Sequence, residues 1–187
     1  MSLTLSNMLP LGTQAPKFKL KNTVDNNQID LYTHVNKRHF VIAFICNHCP
    51  YVTHIVDKFV EVANHYNKKE IKFIAISAND VVSHPADSPE NMRSLARKKY
   101  FEFPYCYDES QEIAKAYDTA CTPDFYLFNK NKLLVYRGQF DSSRPSNATP
   151  VTGRSLINAM NSLLSDKLID QEQTQSMGCN IKWKDKI

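Results

Sequence analysis

Two cysteines, two residues apart, are the part of this sequence best suited to chemistry. Cys46 and Cys49 lie in "ICNHCP", with His48 between them and Pro50 directly after. One thiolate of such a pair can attack a disulfide and the other can release the product, which makes a redox couple. The same spacing also occurs in half of a zinc site and between cysteines that simply pack in a core. Spacing alone leaves these three interpretations open.

The other cysteines favour the redox interpretation. A structural zinc site needs a second close pair or paired histidines, whereas Cys106, Cys121 and Cys179 stand isolated in the sequence. A chain of 187 residues can bury a core without disulfides, and its odd number of cysteines suits a reducing compartment. There, a close pair is more often catalytic or metal-binding than structural. We therefore expect a redox couple, with no resident metal and no cofactor.

The segments around the pair predict where it lies in the fold. Residues 39–45, "HFVIAFI", form a continuous apolar run typical of a strand buried on both faces. Apolar residues then recur at helical spacing from Val52 to Tyr66, and Pro50 suits a first helical turn. The pair therefore lies where a strand passes into a helix.

This position predicts different roles for the two thiols. If Cys46 caps the helix, the positive end of the helix dipole stabilises its thiolate. A protonated His48 adds a second favourable charge. Cys49 lies about one turn further into the helix, where it can attack a mixed disulfide on Cys46. We predict Cys46 as the nucleophile and Cys49 as the resolving thiol.

A second motif, "ACTPDFYLFN", places Thr122 and Pro123 before another buried strand. A cis bond at this point would let the backbone of Thr122 pair with an extended substrate while Pro123 packs against the disulfide. A proline that merely starts a strand gives the same pattern. The two interpretations remain open on these residues alone.

Two isolated cysteines are candidate additional redox thiols. Cys121 directly precedes Thr122 in the sequence, and we favour a core role for it because unpaired cysteines are often buried. Cys179 lies in "SMGCNIKWK" near the end of the chain. It either folds back over the pair as a third thiol or anchors the tail beside Trp183.

The remaining pattern predicts a single α/β domain. Residues 18–32 form a predicted hairpin around the turn-rich "NTVDNNQ". Further strands are predicted at 71–77, 103–108, 122–129 and 132–140, and helices at 89–100, 109–118 and 153–167. This order gives parallel strands connected by helices, with an antiparallel pair at one edge, as in a thioredoxin-type sheet. We expect a domain at 1–165 and a tail at 166–187 that packs on it.

Composition narrows the classes of partner. The 23 basic and 19 acidic residues give a formal net charge of +4 and are interspersed, which is typical of a solvated surface and not of a nucleic-acid interface. No apolar window is long enough for a membrane span. The first residues lack the basic and apolar regions of a signal peptide. We therefore expect a cytoplasmic protein that binds neither nucleic acid nor membranes.

Several motifs together resemble a known family. The sequence is similar to the peroxiredoxin-like branch of the AhpC/TSA redoxin family, within the thioredoxin superfamily, from about Pro16 to Lys184. The motifs that carry this resemblance are "CNHCPYV", "CTPDFYLFN", "VYRGQFDSSRP", "PVTGR" and "GCNIKWK". The resemblance implies a thioredoxin-fold thiol oxidoreductase with Cys46 and Cys49 as its redox couple and Pro123 as a cis proline.

The sequence also departs from that family. True peroxiredoxins are expected to have a threonine or serine three residues before the peroxidatic cysteine and a proline four residues before that. Relative to Cys46, these positions hold Ala43 and His39, and Thr122 and Pro123 stand where an arginine is expected. Without these groups to orient peroxide, disulfide exchange is favoured over peroxide reduction. No acidic residue lies on the strand at 39–45 to act as a buried proton acceptor.

Three functional hypotheses follow. The first is a thiol-disulfide oxidoreductase that exchanges disulfides with protein or small-molecule substrates and a thiol reductant. The second is a thiol-dependent peroxidase in which Cys46 passes through a sulfenic acid that Cys49 resolves. The third is a binding module in which Cys46, Cys49 and His48 hold a soft ion such as Cu(I).

Overall fold

The computed structural model of the chain describes residues 3–185. Residues 1–2 of the predicted domain and 186–187 of the predicted tail lie outside the described residues. The strands are Leu3–Leu5 (β1), Lys19–Asn22 (β2), Gln28–Asp30 (β3), His39–Phe44 (β4), Ile71–Ser77 (β5), Tyr105–Tyr107 (β6), Cys121–Thr122 (β7), Asp124–Phe128 (β8), Leu134–Gly138 (β9) and Met177–Asn180 (β10). The helices are Leu31–Val35 (α1), Pro50–Asn67 (α2), Pro89–Lys98 (α3), Glu112–Ala116 (α4) and Arg154–Leu164 (α5), and a 3-10 turn spans Pro85–Asp87.

A seven-stranded mixed sheet forms the centre of the fold, in the order β3-β2-β6-β5-β4-β8-β9. The strands β4, β5 and β6 are parallel, whereas β8 and β9 pair antiparallel at one edge. This arrangement confirms the predicted α/β class and the antiparallel edge pair. The predicted hairpin is β2 and β3, and β2 joins the sheet through β6. The hairpin therefore extends the main sheet.

Side chains of β4 alternate between two apolar clusters, one on each face of the sheet, because successive residues of a strand point in opposite directions. Val41 and Ala43 contribute to the cluster that includes α2, and Phe40 and Phe44 contribute to the other. Burying each large apolar side chain contributes about 1.5–3 kcal/mol. Since both faces of β4 are covered, its carboxyl end is held firmly beneath the cysteine pair.

Two predicted boundaries need correction. The strand expected to reach Tyr32 ends at Asp30, because the Asp30 side chain accepts a hydrogen bond from the backbone N–H of Thr33 at 3.2 Å and starts α1. The strand expected to begin at Thr122 is interrupted by the proline, so Thr122 belongs to the separate strand β7. Across residues 3–185, none of the helices is both long and apolar enough to cross a membrane.

A second, three-stranded sheet was not predicted. Its order is β1-β10-β7, and both pairings of β10 are antiparallel. The tail carries no periodic signal because its strand, "MGCN", has four residues and is positioned by partners distant in the sequence. Gly178 allows this pairing, since a Cβ atom there would overlap the carbonyl oxygen of Thr122. The C-terminal strand therefore lies directly against Thr122.

We predict that Gly178→Ala displaces β10. The added methyl group meets backbone atoms, and overpacking of this kind costs about 1–3 kcal/mol. Thermal unfolding should occur at a lower temperature, and the buried Cys179 thiol should react with N-ethylmaleimide in the folded protein. Gly12→Ala is the control, because a methyl group added at Gly12 meets no other atom within 4 Å. Its cost is limited to the backbone strain of an alanine at a φ of +82°. A Gly178→Ala protein with wild-type stability and a protected Cys179 would contradict this account.

Candidate active site

Both cysteines of the pair lie in the short loop between β4 and α2. Cys46 is 1% exposed and Cys49 is 0% exposed. Pro50 is the first residue of α2, so the N-cap position is occupied by Cys49. The sequence had suggested Cys46 for this position. The Cys49 side chain makes no capping hydrogen bond. Its environment is therefore set mainly by neighbouring side chains.

Thr122 contacts both sulfur atoms. Its hydroxyl oxygen lies 3.3 Å from the Sγ atom of Cys46, and its carbonyl oxygen lies 3.2 Å from the Sγ atom of Cys49. The peptide bond between Thr122 and Pro123 is cis, as the family resemblance implied. The structure thus brings together the two motifs that the sequence singled out, although they are more than 70 residues apart.

The backbone edge of Thr122 is already paired. We expected this edge to receive an extended substrate, but β10 occupies it, with Cys179 opposite Thr122 and Asn180 opposite Cys121. The absence of a Cβ atom at Gly178 permits the close approach. The chain's own C-terminal strand therefore takes the place that was predicted for a substrate strand.

Cys49 has two thiol neighbours. Cys46 contacts the hydroxyl of Thr122, and Cys179 lies opposite Thr122 in β10, so both flank the residue whose carbonyl oxygen contacts Cys49. Donation by Cys46, followed by donation from the side chain and backbone of Cys179, lowers the pKa of Cys49 to about 5, although burial opposes the change. In the protonated state, Cys49 donates instead to the carbonyl oxygen of Thr122. At neutral pH this environment favours the thiolate.

Cys46 has the opposite tendency. The hydrogen bond that it donates to Cys49 raises its pKa well above the usual value, and burial and the negative charge of Asp87 act in the same direction. The hydroxyl of Thr122 opposes this rise. In this arrangement the lowered pKa belongs to Cys49 and the raised pKa to Cys46, because Cys46 donates its proton toward Cys49 and the carboxylate of Asp87 faces Cys46. The assignment of Cys46 as the nucleophile stays a prediction.

The carboxylate near the pair comes from Asp87, which is fully buried. It accepts hydrogen bonds from the backbone N–H groups of Asn47 and His48, at 2.7 and 3.2 Å, and from the side chain of Asn79 at 2.8 Å. The Nδ1 atom of His48 lies 2.6 Å from the oxygen that accepts from Asn79. The carboxylate of Asp87 would therefore balance the positive charge that we predicted on a protonated His48 beside Cys46.

Sequence reasoning did not identify Asp87 as a site residue. Asp87 directly precedes Ser88, the N-cap of α3, whose side chain accepts a hydrogen bond from the backbone N–H of Asn91 at 3.4 Å. A usable signal was present, because Asp87 follows the parallel strand β5, next to β4 in the sheet. The loops after adjacent parallel strands meet at the same edge. The buried acid that the strand at 39–45 lacks is supplied by this loop.

Cys121 is fully buried, burial raises its pKa, and its backbone pairs with Asn180.

A group of possible metal ligands lies beside the pair. Donor atoms of Cys46, His48 and Asp87 lie within 4.8 Å of one another. Both oxygens of Asp87 already accept hydrogen bonds, and a carboxylate is a poor ligand for Cu(I). The cluster suits proton transfer better than Cu(I) binding.

The fold and the buried cysteine pair define a class of protein. A thiol:disulfide interchange protein of the thioredoxin family from Chlorobium tepidum superposes with a TM-score of 0.63 at 12% identity, covering 82% of this chain and 97% of that chain. An uncharacterized conserved protein from Geobacillus kaustophilus superposes with a TM-score of 0.97 at 49% identity, covering 100% and 99%. The protein has a thioredoxin fold.

Sequence comparison specifies the family. The AhpC/TSA family profile matches residues 11–137, and the chain belongs to this family of thioredoxin-fold oxidoreductases. It is also 26% identical over 133 residues to "Peroxiredoxin PRX1, mitochondrial" from Saccharomyces cerevisiae, a match that covers 71% of this chain. The chain spans only about half of that relative, 50% of its length.

We predict that the low pKa of Cys49 depends on Cys46. Cys46→Ala removes the main hydrogen-bond donor to the thiolate, so the pH at which Cys49 ionises should rise from about 5. Cys46→Ser retains a hydroxyl donor and should raise it less. Thiolate absorbance in the ultraviolet, followed against pH in the reduced protein, measures this change. If the ionisation near pH 5 persists in Cys49→Ser, the assignment to Cys49 is wrong.

Proposed function

We propose that this protein is a thiol-disulfide oxidoreductase whose redox couple is Cys46 and Cys49. The observation that carries the proposal is that Thr122 contacts both sulfurs, with its hydroxyl oxygen 3.3 Å from the Sγ atom of Cys46 and its carbonyl oxygen 3.2 Å from that of Cys49. The two thiols are thereby held side by side, and the interaction between them favours one thiolate. A dithiol with one ionised sulfur is the reactive form in disulfide exchange. Membership of an oxidoreductase family and the thioredoxin fold support the same conclusion.

The environments of the two sulfurs support roles opposite to those predicted from sequence. The Cys49 thiolate attacks one sulfur of a substrate disulfide, the bond between the substrate sulfurs breaks, and the first substrate thiolate leaves and takes up a proton. Cys46 then loses its proton and attacks the Cys49 sulfur, which forms the Cys46–Cys49 disulfide and releases the second substrate thiol. The substrate gains two electrons and the protein loses two.

The pair formed by His48 and Asp87 is suited to accept the proton that Cys46 releases. His48 and Cys46 place donor atoms within 4.8 Å of each other, and the carboxylate of Asp87 fixes the imidazole ring. An imidazole held by a buried acid is a common proton acceptor at neutral pH. Asp87 thus acts as a positioning residue, through His48.

A thiol-dependent peroxidase is the second candidate function. The yeast peroxiredoxin is a relative, and the hydroxyl of Thr122 near Cys46 supplies a hydrogen-bonding group that Ala43 lacks. In this case the thiolate of Cys46, beside that hydroxyl, attacks peroxide, becomes a sulfenic acid, and is resolved by Cys49 with loss of water. A sulfenate probe applied after stoichiometric peroxide distinguishes this function from disulfide exchange alone.

The partners of the proposed reaction are a protein or small-molecule disulfide and a thiol reductant that returns the pair to the dithiol. Both sulfurs are buried, so substrate reaches them only through local opening of the structure. A reducing compartment such as the cytoplasm suits a chain whose other cysteines are isolated and buried.

We predict that Cys46→Ser and Cys49→Ser both lose insulin reduction in the presence of dithiothreitol. Each variant lacks one sulfur of the couple, so the rate should fall to that of dithiothreitol alone, as followed by turbidity. Cys106→Ser is the matched control, because Cys106 is equally buried but lies in the other apolar cluster. Undiminished insulin reduction by Cys49→Ser would contradict the proposed function.

A further inference from the structure

The C-terminal strand holds a third cysteine beside the pair. In β10, Cys179 lies opposite Thr122, the residue that contacts the sulfurs of Cys46 and Cys49. Cys179 is 4% exposed and belongs to the same apolar cluster as the pair. The carbonyl oxygen of Thr122, which faces Cys179 across the strands, lies 3.2 Å from the Sγ atom of Cys49. The Cys179 thiol and backbone help to lower the pKa of Cys49. Cys49 therefore has two other thiols beside it.

Contacts on both sides of β10 fix this placement. Before the strand, the backbone N–H of Ser6 donates to the carbonyl oxygen of Ser176 at 3.0 Å. After it, the backbone N–H of Lys182 donates to the side-chain oxygen of Asn79 at 2.8 Å, and Gln111 donates to the carbonyl oxygen of Lys182 at 2.9 Å. The position of Cys179 is thus part of the fold and not that of a loose tail.

We propose that Cys179 is a third redox thiol that forms a disulfide with Cys49, so that Cys49 alternates between two partners. This inference rests on the proposed function, since it starts from the oxidised couple. The Cys179 thiol loses its proton and attacks the Cys49 sulfur of the Cys46–Cys49 disulfide. The Cys49–Cys179 bond forms, the Cys46–Cys49 bond breaks, and Cys46 takes up a proton. The exchange consumes no electrons.

The register of β10 places Cys179 at the backbone edge where a substrate strand was expected. An extended substrate paired with Thr122 would present its own cysteine at the position that Cys179 occupies. Cys179 therefore acts as an internal substrate, and its disulfide with Cys49 links β10 covalently to the start of α2. In this state the edge at Thr122 stays closed to an extended peptide, whereas the Cys46–Cys49 disulfide leaves β10 held by non-covalent contacts alone.

Oxidation of Cys46→Ser by glutathione disulfide tests the proposal. The Cys49 thiolate forms a mixed disulfide and releases one glutathione, and attack by Cys179 releases the second. After trapping with N-ethylmaleimide, trypsin should give peptides 39–58 and 168–182 joined by a disulfide. Because Cys49 is then the sole cysteine in peptide 39–58, the link identifies Cys49–Cys179 unambiguously. Cys46→Ala provides a second background if the serine variant does not fold.

Controls separate this proposal from the proposed function. Adding Cys179→Ser should abolish the cross-linked peptide, whereas adding Cys121→Ser should leave it. Wild-type protein treated in parallel should contain the Cys46–Cys49 disulfide within peptide 39–58. If wild type forms that disulfide but both Cys46 variants leave Cys179 labelled by N-ethylmaleimide after unfolding, the third thiol is disproved and the proposed function stands. If wild type forms no disulfide, both proposals fail.

Discussion

The site depends on stabilising a thiolate in a place that water does not reach. Burial of an isolated charge is costly unless hydrogen-bond donors surround it. Around Cys49 these donors are two other thiols, from Cys46 and Cys179, together with backbone. Each donor stabilises the charge on Cys49 and is itself a possible disulfide partner. The same contacts that make Cys49 acidic therefore make it ready to form a disulfide.

Thr122 links this chemistry to the fold. Its hydroxyl and carbonyl oxygens contact the two sulfurs of the pair, and its backbone pairs with Cys179. One residue thereby sets the distances among three thiols that come from different parts of the chain. The central sheet holds β4 under the pair, and the small second sheet holds the third thiol over it. The two sheets meet at the cis bond between Thr122 and Pro123.

The sequence predicted those parts of the structure that have local causes. The apolar run at 39–45 and Pro50 located the strand, the loop and the helix that carry the pair, and the parallel sheet followed from the order of the elements. It also singled out Thr122 and Pro123 as a motif that could face the pair, although it assigned the Thr122 backbone to a substrate. These predictions succeeded because hydrophobic periodicity and proline geometry act over a few residues.

The parts that sequence reasoning missed come from long-range contacts. Strand β10 has four residues and little apolar character, and it exists because β1 and β7 pair with it. The acidity of Cys49 and the high pKa of Cys46 arise first from the interaction between the two thiols, and Cys179 and Asp87, which lie far from the pair in sequence, add to these shifts. One local inference also failed, since Pro50 as the first helical residue makes Cys49 the N-cap.

The central claim is that Cys46 and Cys49 form a reversible redox couple. A titration of the wild-type protein across mixtures of reduced and oxidised glutathione, with thiols trapped by N-ethylmaleimide and mapped by mass spectrometry, tests it most directly. We predict a two-electron transition in which the Cys46–Cys49 disulfide replaces the dithiol, while the buried Cys106 remains reduced throughout as an internal reference. Recovery of both Cys46 and Cys49 as free thiols at every glutathione ratio, in folded protein, would contradict the account.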